Sequence, residues 1–466
     1  MTPRLPLTWA VLPASLLAAF MLVVTASVSL KFAAVLLPGM AVGALLLLYP
    51  FVGLVLLVAF AQLDAIANIV SGFLPVSFFK LLTASTLAGF GLTAFATRRD
   101  LRFGLGTIEL RLAGLFAASM VISFLLARYK NEGLDHMIGF LSVMILFVMI
   151  TAVVQTTERL RLLVWAMVLS GLISGLFVVI ESIFGVRLVS SSVAAATAAF
   201  QGESRSAGAS DFNPTTASHM LLTTTVISGI LFIYEPRWRW LSGTAVALGV
   251  PALVFTFARS AVIAFLVMLL IFAFQNRRIR MMPFAIIVVI GVAVISIPFV
   301  PDLFWQRMAT LLDFSLDRTL FRRISYNLIG LRLWSEHPLF GIGPGNFPFY
   351  YIDAEFRYYP GRVSFVPRQL HNSYLEVATE MGLLGITTFV MVMLSSLRRG
   401  VQAARLAPCE VRHIALALSY GFGAFLIASI FMPNEDTKFM WILPALCVVA
   451  WRVSQTDTNS KQQDSR

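Results

Sequence analysis

The run LLVWAMVLSGLISGLFVVIESIF, Leu162 to Phe184, decides the class of fold. It holds one ionisable side chain, Glu181, and exceeds the ~20 apolar residues a helix needs to cross a hydrocarbon core. No water is available there to pair backbone amides and carbonyls, so such a run is read as a helix. Similar runs recur along the chain. On the N-terminal side they lie at about Trp9 to Leu30, Phe32 to Tyr49, Phe51 to Val70, Val76 to Thr97, Thr107 to Leu126 and Met137 to Val154. On the C-terminal side they lie at about His219 to Tyr234, Leu241 to Phe257, Ser260 to Phe274, Pro283 to Val300, Ser373 to Leu397, Ile414 to Met432 and Phe439 to Trp451.

Composition agrees with this pattern. Of 466 residues, 58% are hydrophobic and 12% charged, with a mean hydropathy of +0.85, whereas soluble domains carry roughly 25% charged residues. The sequence predicts an all-α polytopic membrane protein of about 12–14 transmembrane helices. The net charge of +12 is split into short clusters between apolar runs, which argues for cytoplasmic anchoring and against a nucleic-acid face. Cys409 and Cys447 offer no disulfide framework and no metal-ligand spacing. Met1 to Arg4, followed by a long apolar run, is expected to open a first span and not a cleaved leader.

Placing Arg98-Arg99-Asp-Leu-Arg102, Glu158-Arg-Leu-Arg161, Arg277-Arg278-Ile-Arg280 and Arg398-Arg399 inside assigns the remaining polar stretches to the outer face. The expected organisation is one integrated domain. An N-terminal bundle (1–300) includes a periplasmic segment at 190–218, a long periplasmic loop (301–371) carries short helices, C-terminal helices follow (372–453), and a cytoplasmic tail closes the chain (454–466). The long loop is rich in arginine: Arg307, Arg318, Arg322, Arg323, Arg332, Arg357, Arg362 and Arg368. Acidic neighbours, Asp302, Asp313, Asp317, Asp353 and Glu355, are candidates to pair with some of them. Together with Arg205 and Arg259 they suggest an anion site.

Arg259 stands at the end of a span, where an ionisable residue is costly and usually lines a polar cavity. Its planar guanidinium matches phosphate oxygens. His371 precedes the helix beginning near Asn372; it is either a cap or an imidazole able to accept a proton from a hydroxyl. Gly343 and Gly345, beside Asn346, allow a tight backbone turn whose amides can hold an anion. No catalytic metal and no other cofactor is expected.

The combination of Arg205-Ser-Ala-Gly208, Thr256-Phe-Ala-Arg259-Ser260, the run from Arg323 through His337-Pro-Leu-Phe-Gly-Ile-Gly-Pro-Gly-Asn-Phe347, His371-Asn-Ser-Tyr374 and Glu380-Met-Gly-Leu-Leu-Gly385 resembles the O-antigen ligase and O-antigen polymerase superfamily of bacterial membrane glycosyltransferases. The chain departs from the family pattern at Asp211-Phe-Asn-Pro-Thr215, where Pro more often precedes Asn. The resemblance implies a GT-C-like helical fold in the bacterial inner membrane and an active site facing the periplasm. It implies an undecaprenyl-diphosphate-linked glycan donor, a lipid A core or polysaccharide acceptor, surrounding membrane lipids, and no metal. It maps catalytic roles onto Arg205, Arg259 and His371; Arg322, Arg323, Gly343, Gly345, Asn346, Asn372 and Tyr374 are expected at the substrate. A polysaccharide flippase or transporter is the alternative, disfavoured in sequence because paired broken helices and internal repeats are not evident. A structural scaffold is a further alternative.

Overall fold

The computed structural model describes residues 41–71, 77–97, 106–189, 205–211, 213–275, 318–360 and 366–464, with single residues between 287 and 305. The expected spans near Trp9 to Leu30 and Pro283 to Val300, most of Phe32 to Tyr49, the clusters at Arg98, Arg99, Arg102, Arg277, Arg278 and Arg280, and Arg307, Arg362, Asp302, Asp313 and Asp317 lie outside the described residues, as does 190–204.

Among the described residues the secondary structure is helical, without strands. In chain order the helices are α1 (Ala41–Leu48), α2 (Pro50–Phe60), α3 (Asp64–Ser71), α4 (Phe78–Thr97), α5 (Ile108–Leu126), α6 (Lys130–Val153) and α7 (Thr157–Phe184). Next come α8 (Pro214–Tyr234), α9 (Arg239–Phe255), α10 (Arg259–Gln275), α11 (Arg318–Glu336), the short α12 (Phe347–Tyr351), α13 (Ser373–Leu406), α14 (Cys409–Ala428) and α15 (Lys438–Asp464). Among the described residues eight helices are long and apolar enough to cross a membrane, or nine if the bent pair α1–α2 is one span. The chain is a multi-pass membrane protein.

The bundle is built around α15. Phe439, Met440, Trp441, Ile442, Leu443, Ala445, Leu446, Cys447, Val448, Val449 and Ala450 are all inaccessible to solvent. A helix apolar on every side belongs in the middle of a bundle, and α15 packs against α6, α13 and α14. Trp441 contacts the rings of Phe116, Phe140, Phe147 and Phe389, which tie α5, α6 and α13 to it. A second layer runs α13–α14–α8–α9–α7, with α10 against α14 and α8.

Two expected spans are interrupted, and one boundary between spans is sharply bent. Phe51 to Val70 divides into α2 and α3, because Asp64 turns to accept hydrogen bonds from Ser210 Oγ (3.1 Å) and the Asp211 amide (2.9 Å). The chain also bends by 112° between α1 and α2, where Pro50 opens the second helix. The second interruption is in α13, at Gly382, with φ 66° and ψ −165°, a conformation open almost only to glycine. Hydropathy alone gave no sign of this break.

A break inside a span frees backbone groups that hydrocarbon cannot satisfy. Here the glycine-rich run after α11 supplies the partners. Leu383 and Leu384 amides donate to the carbonyls of Pro338 (2.8 Å) and Leu339 (3.3 Å). The carbonyls of Thr379 and Glu380 accept from the amides of Ile342 (3.1 Å) and Gly343 (2.9 Å), and Ser123 Oγ adds a bond to Glu380 O at 2.6 Å. The Pro338–Asn346 and Glu380–Gly385 runs thus form one interlocked unit.

Candidate active site

Arg205 is 5% exposed and lies in the loop before α8. Its Nε and Nη2 both donate to the Thr256 carbonyl, at 3.0 and 2.9 Å, and Nη2 also reaches Thr215 Oγ1 at 3.3 Å. Thr256 begins the tight turn between α9 and α10, in which Phe257 adopts φ 53°, and Arg259 is the first residue of α10. Arg205 is therefore fastened to the turn that carries Arg259. The following helix starts where the sequence permits: Pro214 occupies its first position and Asn213 Oδ1 accepts from the Thr215 amide at 2.9 Å.

The second group forms where α11 leans on the start of α13. Gly330 on α11 leaves space for Leu370, whose Cδ1 would lie 2.3 Å from a β-carbon there, and its carbonyl accepts from Thr379 Oγ1 at 3.1 Å. This seats the Tyr326 ring against His371, centroids 5.2 Å apart. Arg322 and Arg323 stand one turn before Tyr326 on the same side of α11. Arg322, Arg323 and Arg368 all act electrostatically on the Tyr326 phenol, and Arg323 and Arg368 act on His371. Burial, then Arg323, then Arg368 push the His371 imidazole from its ordinary 6.5 down to about 3. It is consequently neutral across the physiological range. Its Nδ1 is buried without a hydrogen-bond partner among the described residues, and its backbone is left-handed, φ 64°.

His371 is not the helix cap. Asn372 is: its Oδ1 accepts from the amides of Tyr374 (3.0 Å) and Leu375 (3.2 Å). The Tyr374 hydroxyl donates to Leu426 O at 2.8 Å and holds α13 to α14. These two residues, expected at the substrate, have structural work. The glycine run is engaged as well. Glu380 accepts from the amides of Gly345 (2.7 Å) and Phe347 (3.1 Å), Gly343 bonds the Glu380 carbonyl, and Asn346 Oδ1 accepts from the Tyr129 amide at 2.9 Å. Amides expected to hold an anion are already occupied by a carboxylate, about two turns along α13 from His371. Among the described residues no group of three or more His, Cys, Asp or Glu side chains converges as metal ligands would.

The two groups are joined through a buried chain of hydrogen bonds. Ser260, next to Arg259, has its Oγ 2.8 Å from His219 Nε2; His219 Nδ1 is 2.9 Å from Asn434 Nδ2. The Asn434 amide donates to Ser373 Oγ at 2.7 Å, two residues beyond His371. Arg323 exerts its charge on both His219 and His371. Arg205, Arg259, Arg322, Arg323 and His371 are thereby assembled at one end of the bundle, and Gly343, Gly345, Asn346, Asn372 and Tyr374 brace it. Sequence reasoning gave no site role to Tyr326, His219 or Asn434, and counted Arg368 only among the loop arginines of a suggested anion site. The closeness of Arg368 to His371 was legible from their three-residue spacing; the others had no local signal.

Residues 244–390 match the family model described as O-antigen ligase. This match supports the resemblance to the O-antigen ligase and polymerase superfamily. The match contains Arg259, Arg322, Arg323, Arg368 and His371, and it supports an O-antigen ligase-like function in general terms. Arg205, His219 and Asn434, which meet that segment in space, lie beyond its ends. No curated protein matches the chain.

Proposed function

We propose that the protein is a membrane glycosyltransferase that moves a glycan from an undecaprenyl-diphosphate donor to a hydroxyl of lipid A core or of a growing polysaccharide, on the periplasmic face of the inner membrane. The observation that carries this reading is the gathering of Arg323 and Arg368 around a neutral, partly buried His371, with Arg322 beside Tyr326 and with Arg205 and Arg259 linked to it.

In the reaction the acceptor oxygen attacks the anomeric carbon, the bond from that carbon to the diphosphate oxygen breaks, and the diphosphate leaves with the electron pair. Guanidinium groups bind the diphosphate in a planar, charge-assisted manner and stabilise the negative charge that develops on it. Arg259, Arg322 and Arg323 take that part, and Arg205 holds the Arg259 turn in place through Thr256. The hydroxyl proton passes to the His371 imidazole. An imidazole held at about 3 is a weak base, but a diphosphate seated beside Arg323 and Arg368 offsets both positive charges and raises its basicity. Donor binding then switches on the base.

A transport reading draws on the broken helix α13, since such breaks line substrate paths in transporters. At this break the Leu383 and Leu384 amides and the Thr379 and Glu380 carbonyls all have protein partners, so it serves packing. The test is purified protein in liposomes with lipid-linked glycan, with and without lipid A core. Arg259→Ala and His371→Ala, correctly inserted, are expected to lower transfer by about 10²-fold or more. Normal rates in both variants would overturn the proposal.

A further inference from the structure

We propose that His219 is a positioning residue that sets the arginine half of the site against the histidine half. The inference rests on the glycan-transfer reading for its kinetic consequences, but not for its geometry. His219 is on α8, five residues after Pro214, and is inaccessible to solvent. Both ring nitrogens are used, and each reaches a different element: Nε2 meets Ser260 at the start of α10, and Nδ1 meets Asn434 in the turn between α14 and α15.

The surrounding bonds fix the proton. Ser429 Oγ donates to the Phe425 carbonyl at 2.7 Å, so it accepts from Asn434 Nδ2 at 3.1 Å. The Asn434 amide nitrogen therefore faces both Ser429 and His219, and His219 Nδ1 is the acceptor. The ring's hydrogen is then on Nε2 and is donated to Ser260 Oγ. This neutral tautomer works as a one-directional strut: it accepts from the turn and donates to α10.

Each end of the strut abuts a residue of the site. Ser260 is covalently next to Arg259. Asn434 is bonded through its amide to Ser373 Oγ, which itself donates to Met432 O at 2.8 Å, while the Ser373 amide donates to Ser429 O at 3.0 Å. These bonds clamp the first turn of α13 directly after His371. A displacement of about 1 Å between a charge-binding group and a base costs on the order of 10²-fold in rate, so the length of this strut matters to the chemistry although His219 touches no reacting atom.

Two substitutions separate its arms. In His219→Gln the side-chain amide extends to the Nε2 position and keeps the donor to Ser260. In His219→Asn the side-chain oxygen replaces Nδ1 and keeps the acceptor for Asn434 while the Ser260 arm is lost. Binding of inorganic pyrophosphate to the purified full-length protein is measured by calorimetry, and donor kinetics are measured in liposomes. His219→Asn is expected to weaken pyrophosphate by about tenfold and to raise the donor KM by a similar factor, with His219→Gln within about threefold of the parent protein. In an Arg259→Lys background the His219→Asn effect should shrink to less than about threefold, because the strut acts through Arg259.

Ser260→Ala removes a single hydroxyl and serves if the histidine variants fold poorly; it should weaken pyrophosphate in the same direction. Unchanged pyrophosphate binding in folded Ser260→Ala and His219→Asn would overturn the inference, as would a loss confined to kcat that multiplies fully with Arg259→Lys. Absence of glycan transfer by the parent protein, with pyrophosphate weakened in the variants, would instead remove the functional reading and leave the strut intact.

Discussion

Gly382→Ala should dismantle the junction between α13 and the glycine-rich run. A β-carbon at this position would lie 2.3 Å from both the carbonyl carbon and the oxygen of Leu339. Contacts tighter than 3.4 Å force the neighbour to give way, so the Leu339 peptide must retreat by about 1.1 Å, the difference between those two distances. That peptide accepts from Leu384, and the adjacent Pro338 carbonyl accepts from Leu383. Two backbone bonds at membrane depth are strained, at about 1–3 kcal/mol each if lost. The conformation itself adds about 1–3 kcal/mol for any residue with a side chain. The sum, roughly 3–9 kcal/mol, is comparable with the whole stability of an ordinary domain. The assay is fluorescence-detected size exclusion of a tagged protein in mild detergent, with a thermal challenge. Gly382→Ala is expected to lose most of its monodisperse peak, whereas Gly114→Ala, whose added carbon meets nothing within 4 Å, should keep it. A Gly382→Ala protein that expresses and melts like the parent would refute the account of the break.

Two other outcomes concern the opposite end of α13 and the histidine. Arg399 Nε donates to Glu109 Oε1 at 2.9 Å, with its guanidinium 3.8 Å over the Trp451 ring, and Ser395 Oγ supplies a further bond at 2.6 Å. Because Glu109 is fully buried, Arg399→Leu should cost about 3–5 kcal/mol by stranding a carboxylate, and Glu109→Gln added to it should restore much of the loss; scanning fluorimetry in nanodiscs in which the double variant is no better than the single would count against the pair. For His371, the folded group titrates near 3 and the ordinary value is 6.5. Its contribution to stability is intact above about 6.5 and is lost as pH falls towards 3. In kinetics, kcat/KM should show no acid limb from this residue between pH 5 and 7, while the limb in kcat lies at higher pH because bound donor raises the basicity; a kcat/KM profile falling with an apparent value of about 6.5, and flattened by His371→Gln, would refute the assignment.

What could be read in the sequence follows from the range of the physics involved. Hydropathy is local, so runs such as Lys130–Val153 and Thr157–Phe184 were visible, and so was the charge on Arg259 at a helix end. The central place of α15 was half visible: Phe439 to Trp451 was seen as one more crossing, although a run apolar on all sides already marks a helix surrounded by others. The break at Gly382 was hidden because Glu380-Met-Gly-Leu-Leu-Gly385 keeps helical hydropathy; only the partners at Pro338, Leu339, Ile342 and Gly343 make a break affordable there. For the same reason the glycine run looked like an anion cradle until Glu380 was found on its amides. His219 is the clearest loss. A histidine inside an apolar run is indistinguishable from a satisfied core histidine until Ser260 and Asn434 are brought to its two nitrogens.

The strut also fixes when, during biosynthesis, the protein can acquire its site. The chain is made from the N-terminus, and Arg205, Arg259 and His371 all precede residue 434 in it. Until Asn434 arrives, His219 has a partner on one side only, and the first turn of α13 lacks the clamp through Ser373. A partly synthesised chain therefore holds the charged residues without the spacing that makes them a site, and the last turn of polypeptide between α14 and α15 acts as the fastening that completes it.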